Sequence, residues 1–253
     1  MNQPAQAPDR SPTCEYDRAV ERPTVRVERL EELESALRGL GLGQVRPTLV
    51  AVGGAEGIEE DDVVGLEPFF AGLARTADLL GAAVVDGGTD AGVVRLMGRA
   101  RADIKGSFPL VGVVAEALAA PPGAAAEGDA APLEPNHSHF VLVPGIRWGD
   151  EVVWIAQVAG LLAGDCPSLT LLVNGGEVSV DDVAESVRVG RPVLVVGGTG
   201  RAADTLAAAL RDEAPNEQIR TLASSALVHA TELGEDSVGS VIQEVDRILS
   251  GGV

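Results

Sequence analysis

Short runs of Val, Leu and Ala recur along the chain, and nearly all end in glycine or in Pro-Gly. The first is TLVAVGGA from Thr48, followed by AAVVDGG, PLVGVVA, HFVLVPG, LTLLVNGG and PVLVVGGTG. Stretches with helical spacing lie between them, among them PFFAGLARTADLLG, AGVVRLMGRARAD, DEVVWIAQVAGLLAG, DDVAESVRVG and RAADTLAAALRDE. Before the first strand, Leu30, Leu33, Leu37 and Leu40 mark another helix that stops at Gly41 and Gly43. Near the C-terminus, SSALVHATEL and DSVGSVIQEVDRILSGG read as one more strand and a closing helix. Continuous apolar strands alternating with amphipathic helices predict an α/β fold: a doubly wound, mainly parallel sheet flanked by helices. In such a sheet ligands lie outside the carboxyl ends of the strands, so the glycine-rich strand ends should face one crevice.

Composition supports this architecture and bounds the rest. At 253 residues the chain suits one large α/β domain. Hydrophobic residues make up 45% but aromatics only 3%, so Val, Leu and Ala must build the core. Residues 1–22 are polar and Pro-containing and read as a disordered lead to a single domain over 23–253. The segment 116–137, EALAAPPGAAAEGDAAPLEPNH, breaks the alternation and reads as a flexible loop with a possible covering role.

The formal net charge of −19 argues against nucleic acid and anionic lipid as main partners. It weighs little against a small anion, because distant carboxylates are screened beyond a Debye length of about 8 Å. Cys14 and Cys166 have no matching context, the N-terminus lacks an apolar signal region, and no stretch has the roughly 18 apolar residues of a membrane span. A reduced, soluble, cytoplasmic protein is expected.

Three glycine clusters at strand ends carry the candidate chemistry. VVDGGTDAGVV presents Gly87, Gly88, Thr89 and Asp90; LLVNGGEVSVDD presents Asn174, Gly175, Gly176, Glu177 and Ser179; LVVGGTGRAAD presents Gly197, Gly198, Thr199, Gly200 and Arg201. Any one of them is compatible with a merely tight turn, but three in one sheet suggest backbone amides aimed at a phosphate. The last is the strongest phosphate candidate, with Thr199 as a cap and hydroxyl donor and Arg201 as a forked cation. Asp90 suits a ribose diol better, because a carboxylate repels phosphate. None of the clusters is a GxGxxG fingerprint or a Walker A loop, so hydride transfer and nucleoside-triphosphate hydrolysis lose ground.

LEPNHSHF raises a metal alternative: on a strand, His137 and His139 would face one side and could share an ion with Glu134. The only other histidine is His229, so ligand contact or structural hydrogen bonding is the favoured reading of His137, and no metal is assigned. The following PGIRWGDE supplies Pro144, Gly145, Trp148, Asp150 and Glu151 at the end of the same strand, and the Arg147-Trp148 pair offers a base-stacking platform or simply an aromatic lid.

Taken in order, DGGTDAGVVRLMG, LEPNHSHFVLVPG, WGDE, LLVNGG and GRPVLVVGGTGRAAD resemble the prokaryotic LSDAT branch of the SLOG superfamily. That Rossmann-like group is related to the LOG and lysine decarboxylase-like proteins and to the N-terminal nucleotide-sensing region of melastatin-type TRP channels. The resemblance covers about residues 45–210 and implies a sensor for a nucleotide-derived ligand such as ADP-ribose or an NAD-like molecule. It also implies a homodimer and a separate effector protein. Ligand contacts are expected from Gly53 and Gly54 at the first strand end, from the three clusters, and from His137 and the PGIRWGDE residues. No cofactor other than such a nucleotide is implied.

LOG phosphoribohydrolases carry PGGxGTxxE. Laid on Gly175 to Asp182, that motif keeps both glycines, replaces Gly by Val178 and Thr by Ser179, and shortens the catalytic Glu to Asp182. The helix preceding it, DEVVWIAQVAGLLAG, has no arginine to stabilise a departing phosphoribosyl group, a loss commonly of a few kcal/mol. Hydrolysis of an N-glycosidic bond with Asp182, Glu177 or Asp150 as the acting carboxylate is therefore the alternative to a binding role, with Asp182 the first choice.

Overall fold

A computed structural model describes residues 14–15, 22–54, 60–123, 128–234 and 236–252. In chain order they form β1 (Cys14–Glu15), β2 (Thr24–Arg26), α1 (Leu33–Gly39), β3 (Thr48–Gly53), α2 (Glu60–Leu80), β4 (Ala83–Asp86), α3 (Gly92–Asp103) and β5 (Leu110–Ala115). There follow β6 (Ala119–Ala120), β7 (Ala131–Pro132), β8 (His139–Val143), α4 (Val152–Ala163), β9 (Ser168–Val173), α5 (Glu177–Arg188) and β10 (Val193–Gly197). The chain closes through α6 (Arg201–Ala209), α7 (Glu217–Ala223), β11 (Val228–Glu232) and α8 (Val238–Leu249).

The central sheet has nine strands in the order β1-β2-β8-β5-β4-β3-β9-β10-β11. All neighbours pair in parallel except β1, which runs antiparallel to β2. This is the doubly wound fold that the alternation of apolar runs and helices predicts. Strand side chains alternate between the faces, and because both faces are covered each strand can be apolar throughout. Val50, Val52, Val85, Val111, Val113, Leu172 and Val195 enter one core with α1 and α4 to α7. Their neighbours Leu49, Ala51, Val84, Leu110, Leu171 and Val196 enter the other with α2, α3 and α8. Each fully buried Val or Leu contributes roughly 1.5–3 kcal/mol of transfer free energy.

The winding direction reverses between β3 and β9. From β3 the chain proceeds through β4, β5 and β8 towards one edge, then crosses back through α4 to β9 and on to β10 and β11. Gly53 at the end of β3 sits on that reversal, opposite Val173. A Cβ there would stand 2.3 Å from both Val173 O and Val93 Cγ2, so only glycine lets the three elements close around the strand end. The N-termini of α4 and α5 open at the same end of the sheet.

The expected lead over 1–22 lies outside the described residues apart from Cys14–Glu15 and Arg22. Within 116–137, residues 124–127 are also outside them. The remainder of this segment carries the two-stranded β6-β7 ribbon, Ala119–Ala120 against Ala131–Pro132, with Leu133 N–H donating to Ala120 O at 2.9 Å. Among the described residues no helix is long and apolar enough to cross a membrane.

Candidate functional site

The turn after β4 is fixed from below by buried charges. Asp86, the only charged residue of an otherwise apolar strand, is 1% exposed; its Oδ1 accepts the Gly88 N–H and faces His137 Nε2, both at 2.8 Å. His137 Nδ1 lies 2.8 Å from Glu134 Oε2, and Glu134 also accepts from Asn136 N–H and Nδ2. Burial would push the imidazole down, but the Asp86 charge and its hydrogen bond, with Glu134 adding to both, outweigh it and hold His137 at about 9. The ring is therefore a doubly protonated cation at neutral pH, donating to one carboxylate from each nitrogen. It also stacks on Phe140 at 5.4 Å between centroids.

This arrangement bears on both readings of LEPNHSHF. His137 is fully buried with both nitrogens engaged, the structural hydrogen-bonding arrangement of the two readings given for it, and it supports the turn from below. The metal alternative fails for the same reason. β8 begins only at His139, and the chain turns at Pro135 and Asn136, so the two histidines do not share a strand face. His139 Nδ1 instead meets Ser138 Oγ at 2.8 Å, and burial together with Arg101 pushes its imidazole down to about 4. Among the described residues no group of three His, Cys, Asp or Glu side chains comes together to hold an ion.

Above this support the turn itself is stitched to the 128–137 segment. Glu134 N–H donates to Gly88 O at 2.9 Å, Asp90 N–H to Pro132 O at 2.7 Å, and Thr89 bridges Leu133. Asp90 Oδ1 accepts from Arg95 Nε at 2.6 Å, so the carboxylate expected to greet a ribose is partly neutralised by α3. Gly98 of α3 makes room for the support, because a Cβ on it would stand 2.1 Å from the Glu134 carboxyl carbon.

At the end of β8, Pro144 and Gly145 lead into a loop closed by Asp150, whose Oδ2 accepts the N–H groups of Ile146 and Arg147 at 2.9 and 3.1 Å. Those bonds hold its carboxyl below the usual range. Trp148 is 42% exposed, available to stack and not part of the core. Glu151, the first-turn flank of α4, is buried and accepts the Gly149 N–H at 3.0 Å.

The turns after β9 and β10 form one unit. Asn174, at φ +57°, donates its backbone N–H to Thr199 Oγ1 at 2.8 Å and its side-chain amide to Thr199 O at 2.7 Å. Thr199 Oγ1 donates to Val196 O, and Asn174 O accepts from Ala203 N–H. This revises the role of Thr199: its hydroxyl joins the two turns and does not cap α6, whose preceding residue is Gly200. Gly198 N–H is likewise taken, by Asp204 Oδ1 at 2.7 Å, and Gly176 N–H donates to Ser179 Oγ. The Gly200 N–H has no acceptor among the described residues. Arg201, at φ +51°, turns its guanidinium across the gap, with Nη2 3.1 Å from the point a Gly176 Cβ would occupy. The cation of one turn thus lies over the backbone of the other, where α5 and α6 both begin, a setting suited to an anion. Glu177 is exposed beside it.

Asp182 lies on the second turn of α5, and its Oδ1 is buried with no hydrogen-bond partner among the described residues. Burial, then the charges of Glu151 and Asp181, push its carboxyl up to about 8. Glu151 is pushed up too, by burial first and also by the neighbouring Asp150. The packed α4 and α5 thus hold two carboxyl groups that resist ionising together, and Asp182 is a neutral acid at pH 7. Sequence reasoning missed this coupling and the role of Asp86. The second had a visible signal, a lone carboxylate ending a buried strand.

A family model described as SLOG in TRPM, prokaryote, matches residues 46–239. The chain belongs to this prokaryotic LSDAT family. Curated relatives of this LSDAT protein include Transient receptor potential cation channel subfamily M member 2 of Rattus norvegicus and of Mus musculus. Each is 26% identical over 175 residues, covering 55% of this chain and 12% of the channel. Among solved structures, the X-ray structure of TM1055 superposes with a TM-score of 0.54 at 19% identity, covering 79% of the LSDAT chain and 99% of TM1055. At that identity the likeness is one of fold.

Proposed function

We propose that this LSDAT protein binds a nucleotide-derived ligand, such as ADP-ribose or an NAD-like molecule, across the carboxyl ends of β3, β4, β9 and β10. The observation that carries the reading is Arg201 lying over Gly176 where α5 and α6 begin beside the β3-β9 reversal. That is the position where doubly wound sheets take phosphate-bearing ligands. The phosphate is assigned to Gly200 and Arg201, the ribose to the wall formed by Asn174, Gly175 and Asp182, and the base to the exposed Trp148. The kinship to the channel sequences supports a sensing role, in which a cytoplasmic protein reports to a separate effector.

Calorimetry against ADP-ribose, NAD, AMP and cyclic ADP-ribose tests the proposal directly. At least one should bind, and Arg201→Ala should weaken it roughly ten- to hundredfold, the share of one charge-assisted contact. Silence from all four at millimolar concentration would sink the reading, and an unaltered affinity in the variant would remove Arg201 from it.

One observation favours a second reading. A neutral, buried carboxyl with an unpaired oxygen suits a general acid, so Asp182 could protonate a departing base in N-glycosidic hydrolysis. Chromatography of the same four compounds for released base decides this, and equal release by Asp182→Asn would exclude that residue.

A further inference from the structure

The last strand of the sheet, β11, has β10 on one side and, among the described residues, no strand on the other. Its parallel register, Val193↔Val228 to Gly197↔Glu232, together with the bonds Val193 N–H to Leu227 O and Leu233 N–H to Gly197 O, fixes which groups face outward. The alternation along a parallel ladder directs the backbone of His229 and Thr231 towards β10 and that of Val228, Ala230 and Glu232 to the open edge. Two of the outward groups are satisfied locally: Val228 N–H donates to Ser225 O at 3.1 Å, and Glu232 O accepts from Ser237 Oγ at 2.9 Å. Among the described residues no partner is found for the remaining four, which are Ala230 N–H, Ala230 O, Glu232 N–H and Val228 O.

We propose that β11 pairs antiparallel with β11 of a second copy about a two-fold axis at Ala230. In this register Ala230 faces Ala230 of the second copy and the two exchange both backbone bonds, while each Glu232 N–H donates to the opposite Val228 O. The four open groups of each copy are the four this pairing consumes, and the two it leaves out are the two already bonded. No other symmetric register has that property: a shift of one residue puts an inward-facing amide opposite an outward-facing one. A shift of two brings the occupied Val228 N–H or Glu232 O into a central pair.

Side chains agree with the backbone. Opposite neighbours are Val228 with Glu232 and His229 with Thr231, so no like charges meet directly across the seam. Ala230 is exposed and small, and beside it β11 lines a cavity of about 350 Å³ with Ala207 of α6 and with Leu210 and Arg211 just after that helix. On the axis this concavity joins that of the second copy, with Ala207, Leu210 and Ala230 beside the Arg211–Glu232 ion pair in each. β11 also lacks the lysine, proline or bulge with which edges are commonly blunted. Leu233 N–H bonds Gly197 O, so the seam lies one strand from the β10 turn, although the pairing itself does not depend on any ligand.

Sedimentation velocity on the full chain should show a concentration-dependent dimer that strengthens from low to physiological salt, because each copy carries −19. Ala230→Pro removes the central donor while leaving the amides that bond β10, and should sediment as a folded monomer. Amide exchange on the unmodified chain gives an independent reading. Ala230 and Glu232 should be protected at high protein concentration and lose protection on dilution, while His229 and Thr231 stay protected throughout. A monomer at every concentration, or a dimer in which the Ala230 and Glu232 amides exchange freely, would overturn the proposal.

Discussion

Replacing His137 with alanine should destabilise the fold by about 3–5 kcal/mol, because it strands two buried carboxylates at once. Asp86 and Glu134 are each 1% exposed, and both now lean on the imidazolium between them. Asp86 Oδ2 already has no hydrogen-bond partner, so it has little in reserve when the ring is lost. In a chain of this size the loss corresponds to a melting-temperature drop of roughly 10 °C. The whole triad is a different matter: exchanging all three residues for apolar ones of similar volume could be close to neutral, since buried ion pairs recover little beyond their desolvation cost. What the single change exposes is dependence within the triad.

The same group gives stability a pH dependence of defined sign. His137 is raised from its ordinary 6.5 to about 9 in the folded chain, so its contribution is fully present below 6.5 and is lost as pH rises through 9. Melting followed by circular dichroism from pH 6 to 10 should show a fall in the unmodified protein that is absent in His137→Ala. A variant that melts at the parental temperature, with the parental pH profile, would mean that the cluster does not hold the turn.

The contrast between legible and hidden features follows from distance along the chain. β3, β4, β5, β8, β9 and β10 announce themselves because each is an unbroken apolar run buried on both faces and ended by a turn residue. β2 is three residues in a polar context, and β6 and β7 are two residues each, so their pairing is decided by neighbours and not by composition. The turn glycines of the site are equally local and could be read. Its electrostatics could not: Asp86 reaches His137 across 51 residues, and Glu151 influences Asp182 only because α4 and α5 pack side by side. His137 looked available because HSHF reads as strand, and only the turn at Pro135 and Asn136 buries it.

Asp182→Asn should move stability and function in opposite directions. Folding raises this carboxyl from 3.8 to about 8, so its favourable contribution is complete only below the unfolded value and is progressively lost as pH climbs towards 8. At neutral pH the group is kept neutral at a standing cost, which its partial exposure softens but does not remove. Asparagine has nearly the same shape and no charge to suppress, so the variant should be more stable than the parent by on the order of 1–3 kcal/mol at pH 7. The gap should close below pH 4, where the parental carboxyl is protonated in both states. In the proposed site Asp182 belongs to the ribose-facing wall, beside Asn174 and Gly175. On the proposed reading the variant should bind the nucleotide-derived ligand more weakly, or release base more slowly if the chain is hydrolytic. Paired melting and calorimetric titrations decide between the outcomes, and a variant that is more stable and binds as well as the parent would show that Asp182 serves neither role.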